Sequence, residues 1–307
     1  MDSLSCLEQA CRKDVASLPE TQPFISEIID DQLQKRLDKM GIKTENAEKA
    51  LKEINEFGQK PESVLPKLML ETRVLGLGEM HSFPNPQREL GSVVMKDLRD
   101  AGATHIAIEA GSDKQDMLNK FMEPGGKLDV GAMPTMLQDQ PYINLLNAAK
   151  ESGIKIIAVD RRDGHENDND ASKKQILQEN GESRDQIMAG NIKKILEQDP
   201  SSKVVFWVGS FHLNRMEAKS EQKTAADILR DNTSVITVDP LYDLLRGESF
   251  HALPELTAGL KQSVAISTSQ AADVGAMPYG TAADTSEPYD RDWDYIIAYP
   301  HEAAQQK

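Results

Sequence analysis

The sequence predicts an α/β fold: a doubly wound, mainly parallel sheet flanked by helices, with a helical N-terminal extension. Two observations carry this. From residue 73 onward, short aliphatic runs recur: RVLGLGE (73–79), THIAIE (104–109), KIIAVD (155–160), KVVFWVG (203–209), SVITVD (234–239), SVAIST (263–268) and YIIAYP (295–300). Helical patterns at 86–101, 113–122, 140–152, 184–198 and 222–231 separate them. Strands that are almost continuously apolar need cover on both faces, and crossover helices between parallel strands supply it.

The second observation is punctuation. Asn85-Pro86 places a cap ahead of a proline at the first helical position. Ser183 can cap the helix that follows it, and Gly102 and Gly153 stop theirs. Residues 269–292, rich in Ala, Gly, Asp and Pro, read as a long surface loop. The first 66 residues read as polar and helical. Ile25, Ile28, Ile29, Leu33 and Leu37 recur at three- and four-residue spacing, and a second helix is expected over 45–57 with Gly58 as its stop. No strand signal stands in that segment. The division is therefore a helical extension at 1–66 and an α/β domain at 67–307.

Composition narrows the function. Fifty acidic residues against 35 basic ones give a formal net charge of −15, a field that repels phosphate backbones and speaks against nucleic-acid binding. No apolar run approaches the roughly 20 residues needed to span a bilayer, and the N-terminus lacks the basic start and apolar core of a signal peptide. Cys6 and Cys11 are too close in sequence to staple distant segments, so they read as reduced thiols. The expected location is the cytoplasm, or delivery as an effector by a route that uses no signal peptide.

The chemistry-bearing residues stand at the strand ends. Following each strand to its C-terminal end gives Glu79 and His81, then Glu109, then Asp160 with Arg161 and Arg162, then His212, then Asp239. In an open parallel sheet these ends share one edge, where ligands bind. Groups far apart in sequence should therefore converge on one cleft. His105, at the entry of its strand, belongs to the opposite edge and reads as structural. Arg184 occupies the first turn of a helix, where the dipole disfavours a cation by roughly 0.3–1 kcal/mol, which hints at an anionic neighbour.

Several motifs are excluded. In GLGEMH the third glycine of a dinucleotide fingerprint would fall on His81, whose side chain blocks close approach of a pyrophosphate. The G-x-S-x-G elbow of serine hydrolases is absent. Neither cysteine is placed as a nucleophile. Two roles remain for His81 and His212. One is general-base activation of water by an imidazole that a carboxylate orients, with Arg162 or Arg184 stabilising developing negative charge. The other is a divalent-metal site of Glu79, His81 and His212 with open positions, suited to Mn, Co or Zn.

The pattern resembles the superfamily that joins erythromycin esterases, ChaN-like haem-binding proteins, TIKI/TraB proteins and a domain of Pasteurella-type toxins. The matching stretches are Gly78-Glu79-Met80-His81, Ile106-Ala107-Ile108-Glu109, and Tyr142…Leu145-Leu146…Ala149 leading to Ala158-Val159-Asp160-Arg161-Arg162. They continue with Arg184-Asp185-Gln186-Ile187-Met188-Ala189-Gly190-Asn191-Ile192 and Gly209-Ser210-Phe211-His212, spanning residues 70–240. The resemblance implies a doubly wound domain with a site at Glu79, His81, Glu109, Arg184 and His212. From the esterase branch it implies a water-activating His81, and from the TIKI branch a metal on His81 and His212. Ser82 stands where many ChaN-like members carry an acidic residue, which weighs against haem. The leading expectation is a hydrolase acting on an ester, amide or related bond of a small-molecule or peptide substrate. A haem- or metal-binding module and an effector- or toxin-like interaction domain are the alternatives.

Overall fold

The computed structural model describes residues 57–79, 81, 86–161, 183–214, 223–241, 263–268 and 293–299. The helices expected over 25–37 and 45–57 lie outside these residues except for Phe57, as do Arg162 and the 269–292 stretch.

The elements follow one another as α1 (Pro61–Glu71), β1 (Val74–Glu79), α2 (Pro86–Asp100), β2 (His105–Gly111), α3 (Gln115–Met122), α4 (Gln140–Glu151), β3 (Lys155–Asp160), α5 (Arg184–Gln198), β4 (Val204–Gly209), α6 (Ala225–Arg230), β5 (Val235–Leu241), β6 (Val264–Ser267) and β7 (Tyr295–Ala298). They form a seven-stranded sheet in the order β3-β2-β4-β1-β5-β7-β6. Every neighbouring pair is parallel except β6 against β7. The predicted α/β class with a mainly parallel sheet is the observed one.

Strand parity builds two cores. Leu75 and Leu77 of β1, Ile106 and Ile108 of β2, and Val205 and Trp207 of β4 point into one cluster with α1, α2 and α4. Val74, Ala107, Val204, Phe206 and Val208 point into the other, against α5 and α6. Each strand thus buries both faces, the reason its sequence is apolar without alternation.

Helix boundaries follow the local chemistry. Ser183 and Gln186 form a full capping box at the start of α5. Gly102 and Gly153 take φ of 102° and 71°, the left-handed conformation that ends a helix cheaply only at glycine. Three boundaries differ from the sequence expectation. Helix α6 starts at Ala225 because Thr224 caps it, accepting from Asp227 N–H. Strand β5 runs on to Leu241, because Asp239 to Leu241 find partners on β7, so Asp239 is not at a strand tip. Helix α1 runs across the expected boundary at residue 66, from Pro61 to Glu71. Its Val64, Leu65, Leu68 and Met69 are buried in the first core. Among the described residues no helix is long and apolar enough to cross a membrane.

Candidate active site

Four adjacent strands, β3, β2, β4 and β1, end on the same edge. That edge brings Glu79, His81, Glu109, Asp160, Arg184 and His212 together, and His81 lies at its centre. Its Nδ1 is 3.2 Å from Glu79 Oε1 and its Nε2 is 3.3 Å from Glu109 Oε2. The second imidazole, His212, places Nε2 3.6 Å from the other oxygen of the same Glu109 and Nδ1 2.9 Å from Asp185 Oδ1. One carboxylate therefore stands between two imidazoles, and each imidazole has a second carboxylate of its own.

Glu109 is fixed from two further directions. Gly209 N–H donates to its Oε2 at 2.8 Å, and Arg184 Nη2 donates to its Oε1 at 2.6 Å. Gly209 must be glycine for this packing: a Cβ there would stand 2.9 Å from His81 Nε2 and 3.1 Å from Glu109 Oε2. Arg184 also donates through Nη2 to Asp160 Oδ2 at 2.6 Å and through Nε to Oδ1 at 3.3 Å. The anionic neighbour that its position in the first helical turn suggested is this carboxylate pair.

The other side of the site is a sealed nest that the sequence reading did not single out. Arg88 of α2 forks onto Glu79, Nε to Oε2 at 2.9 Å and Nη2 to Oε1 at 2.5 Å, while its Nη1 donates to Asp139. Trp207 Nε1 donates to Glu79 Oε2 at 2.6 Å. The guanidinium also lies over the Tyr142 ring, 4.8 Å from its centroid. Asp139 occupies the N-cap position of α4 but makes no cap bond with its side chain, which serves Arg88 instead. A signal existed: Arg88 stands in helical register with Gly91, Met95 and Leu98 on the buried stripe of α2, a charge where the stripe should be apolar. Asp185, in the first turn of α5, is a further site residue outside the predicted set, at a position where an acid ordinarily complements the helix dipole.

The charges interlock. Burial would lower the pKa of each histidine, but the two carboxylates beside it prevail. His81, between Glu109 and Glu79, and His212, between Asp185 and Glu109, are both pushed up to about 9. Burial would likewise raise the glutamates. The bonds from His81 and Arg88 hold Glu79 below the usual carboxylate range, and the two imidazoles hold Glu109 well below it. At neutral pH the solvent side of the site is a row of cations over a buried layer of carboxylates. Side-chain exposure falls from 33% at His81 and 28% at Arg184 to 5% at Glu109 and 0% at Asp160.

The set Glu79, His81 and His212 does not fit a divalent ion. Both ring nitrogens of His81 face carboxylates, and both oxygens of Glu79 already accept from Arg88, one of them from Trp207 as well. Among the described residues no group of three or more His, Cys, Asp or Glu side chains is arranged to hold a metal ion. His105 lies at the entry of β2, bonded to Thr104 on the opposite edge, with its pKa lowered by burial.

No protein-family model matches the chain, and no curated protein sequence matches it either. Solved structures do match. A Bacillus cereus protein superposes with a TM-score of 0.60 over 83% of this chain and 97% of its own, at 12% identity. The type III effector HopBA1 aligns at 13% identity over 78% of this chain and 94% of its own, with a TM-score of 0.47. An effector domain of a Vibrio vulnificus MARTX toxin, RRSP, aligns at 17% identity over 67% and 39%, with a TM-score of 0.40. What this chain shares with the Bacillus cereus protein is the α/β fold, and bacterial effector and toxin domains stand among its structural neighbours.

Proposed function

We propose that the cleft hydrolyses an ester, amide or related carbonyl bond, with His81 as the base that activates water. The observation that carries this reading is the Glu109 carboxylate between two imidazoles, each backed by its own second carboxylate. Such a pair divides acid from base. Because both rings share Glu109, loss of the proton from one strengthens the hold of the other, and the pair passes through a singly protonated state. The more exposed ring, His81, gives up its Nε2 proton to solvent and keeps Nδ1–H on Glu79. His212 keeps both protons.

In that state the bare Nε2 and the Glu109 carboxylate repel, the ring turns Nε2 to the open side, and a water there transfers a proton to it as the water oxygen bonds to the carbonyl carbon. Arg184 stabilises the oxyanion. The bond to the leaving group then breaks, and that group takes a proton from His212 Nε2. Solvent removes the proton from His81 and restores the one on His212. The products are a carboxylic acid and an alcohol or amine. The resemblance to erythromycin esterases in the first-motif histidine supports the same assignment.

Since the base form of His81 is a minority near pH 7, roughly one molecule in a hundred for a pKa of about 9, the rate should rise about tenfold per pH unit toward 9. The test is turnover of a panel of chromogenic esters and amides by the wild type and His81→Ala. Loss of 10²-fold or more is expected, with the fold retained by circular dichroism. Glu79 keeps Arg88 and Trp207 in the variant, and Glu109 keeps Arg184 and the Gly209 amide. Turnover retained by His81→Ala would refute the role.

A further inference from the structure

His212 stands on a single 3-10 turn, Ser210–His212, rather than on a long element. Its ring must be held by side chains. The 3.6 Å from Nε2 to Glu109 is a charge contact rather than a hydrogen bond, so the close bond on the ring is Nδ1 to Asp185 Oδ1 at 2.9 Å. Asp185 is itself anchored. The capping box of Ser183 and Gln186 sets the backbone of the first turn of α5, and Ala225 N–H donates to the same Oδ1 at 2.8 Å. A carboxylate accepts only, so the nitrogen facing it must carry the proton. Nε2 is then the end of the ring turned to Glu109 and the cleft.

We propose that Asp185 is the positioning residue of His212: it fixes the Nδ1–H tautomer and the ring orientation, and so aims Nε2 at the reacting group. The inference rests on the hydrolytic reading and deepens it, by naming what makes the second imidazole an acid at Nε2. The groups that bear on His212 are Asp185 from α5, Glu109 from β2, and, through Glu109, Arg184 and His81. Of these only Asp185 contacts Nδ1. The competing role for Asp185 is structural, as an acceptor for the first amide of α6, and the two roles separate in one substitution. Asp185→Asn keeps an oxygen for Ala225 N–H but removes the charge beside the imidazole.

The experiment is nitrogen-detected NMR of the histidine rings in the full chain, wild type and Asp185→Asn, beside pH–rate profiles of both. In the wild type the Nδ1–H tautomer of His212 is expected once the ring is neutral, with titration near 9. In Asp185→Asn the titration should fall by a unit or more and the tautomers should mix. The alkaline limb of the rate should move down in pH with it, and kcat should drop tenfold or more with KM little changed. Asp185→Glu should restore part of the rate. Unchanged titration and tautomer in Asp185→Asn overturn the proposal. So does a rate loss with an unmoved pH profile, which assigns Asp185 to α6 alone. Should the wild type show no hydrolysis, the reading of the cleft fails by itself, while the NMR still decides whether Asp185 sets the ring.

Discussion

Two arginine–carboxylate nests lie on either side of one sheet edge, and His81 touches a carboxylate of each. In the first, Arg88 holds Glu79 and Asp139, and the arginine and glutamate side chains are 1% exposed. In the second, Arg184 holds Glu109 and Asp160, and the arginine is 28% exposed. The carboxylates of both nests are buried, and it is the access of water to the arginine that differs. A sealed charge has no replacement partner when its own is removed, so the first nest is bound to stability. An open one can be hydrated, so the second can exchange partners with a ligand at smaller cost. What differs between structural and chemical arginine here is the depth of burial.

The largest effect expected from breaking this comparison is Arg88→Met. It leaves Glu79 ionised and buried with only Trp207 and the imidazole as partners, and should cost about 3–5 kcal/mol in urea unfolding. A loss under about 1 kcal/mol would mean that the first nest is not sealed in solution. Arg184→Met should show a turnover loss of about 10²-fold, on the scale of one lost oxyanion donor, with a smaller stability loss than Arg88→Met because Glu109 keeps His81, His212 and the Gly209 amide and Asp160 keeps the Arg161 amide. Equal stability losses in the two variants would remove the distinction.

The comparison also fixes the pH dependence of stability, whose sign follows from the shifts. His81 and His212 are held above their ordinary 6.5, at about 9, so their contribution is complete below 6.5 and is lost as pH rises through 9. Glu79 and Glu109 are held below 4.5, so theirs is complete above that value and is lost as pH falls through their lower folded values. Thermal midpoints should be highest between about 4.5 and 6.5 and lower by pH 9.5. His81→Ala and His212→Ala should each flatten the alkaline side, whereas Arg88→Met should leave its shape intact.

Much of the architecture was legible because a parallel strand buries both faces and must be apolar throughout. The runs around Leu75, Ile106, Ile156 and Val205 could be read for that reason. The extent of helix α1 is not legible in the same way, because its apolar residues follow a polar stretch and begin at a proline. The site was legible in part for a topological reason: once strands are parallel, Glu79, Glu109 and Asp160 must share an edge, whatever lies between them. Arg88 and Asp185 were hidden because each mimics an ordinary helical residue, one a surface arginine and the other an acid complementing a dipole.

The amino-acid sequence by itself determined the class of fold, the edge on which chemistry would gather and the two imidazoles that gather there, since periodicity and strand ends are local properties of the chain. Only the tertiary structure decided the strand order that places β4 between β1 and β2, the sharing of Glu109 by His81 and His212, and the sealing of Arg88 against Glu79. Those depend on which elements pack side by side, and hydrogen-bond geometry and burial exist only once they do.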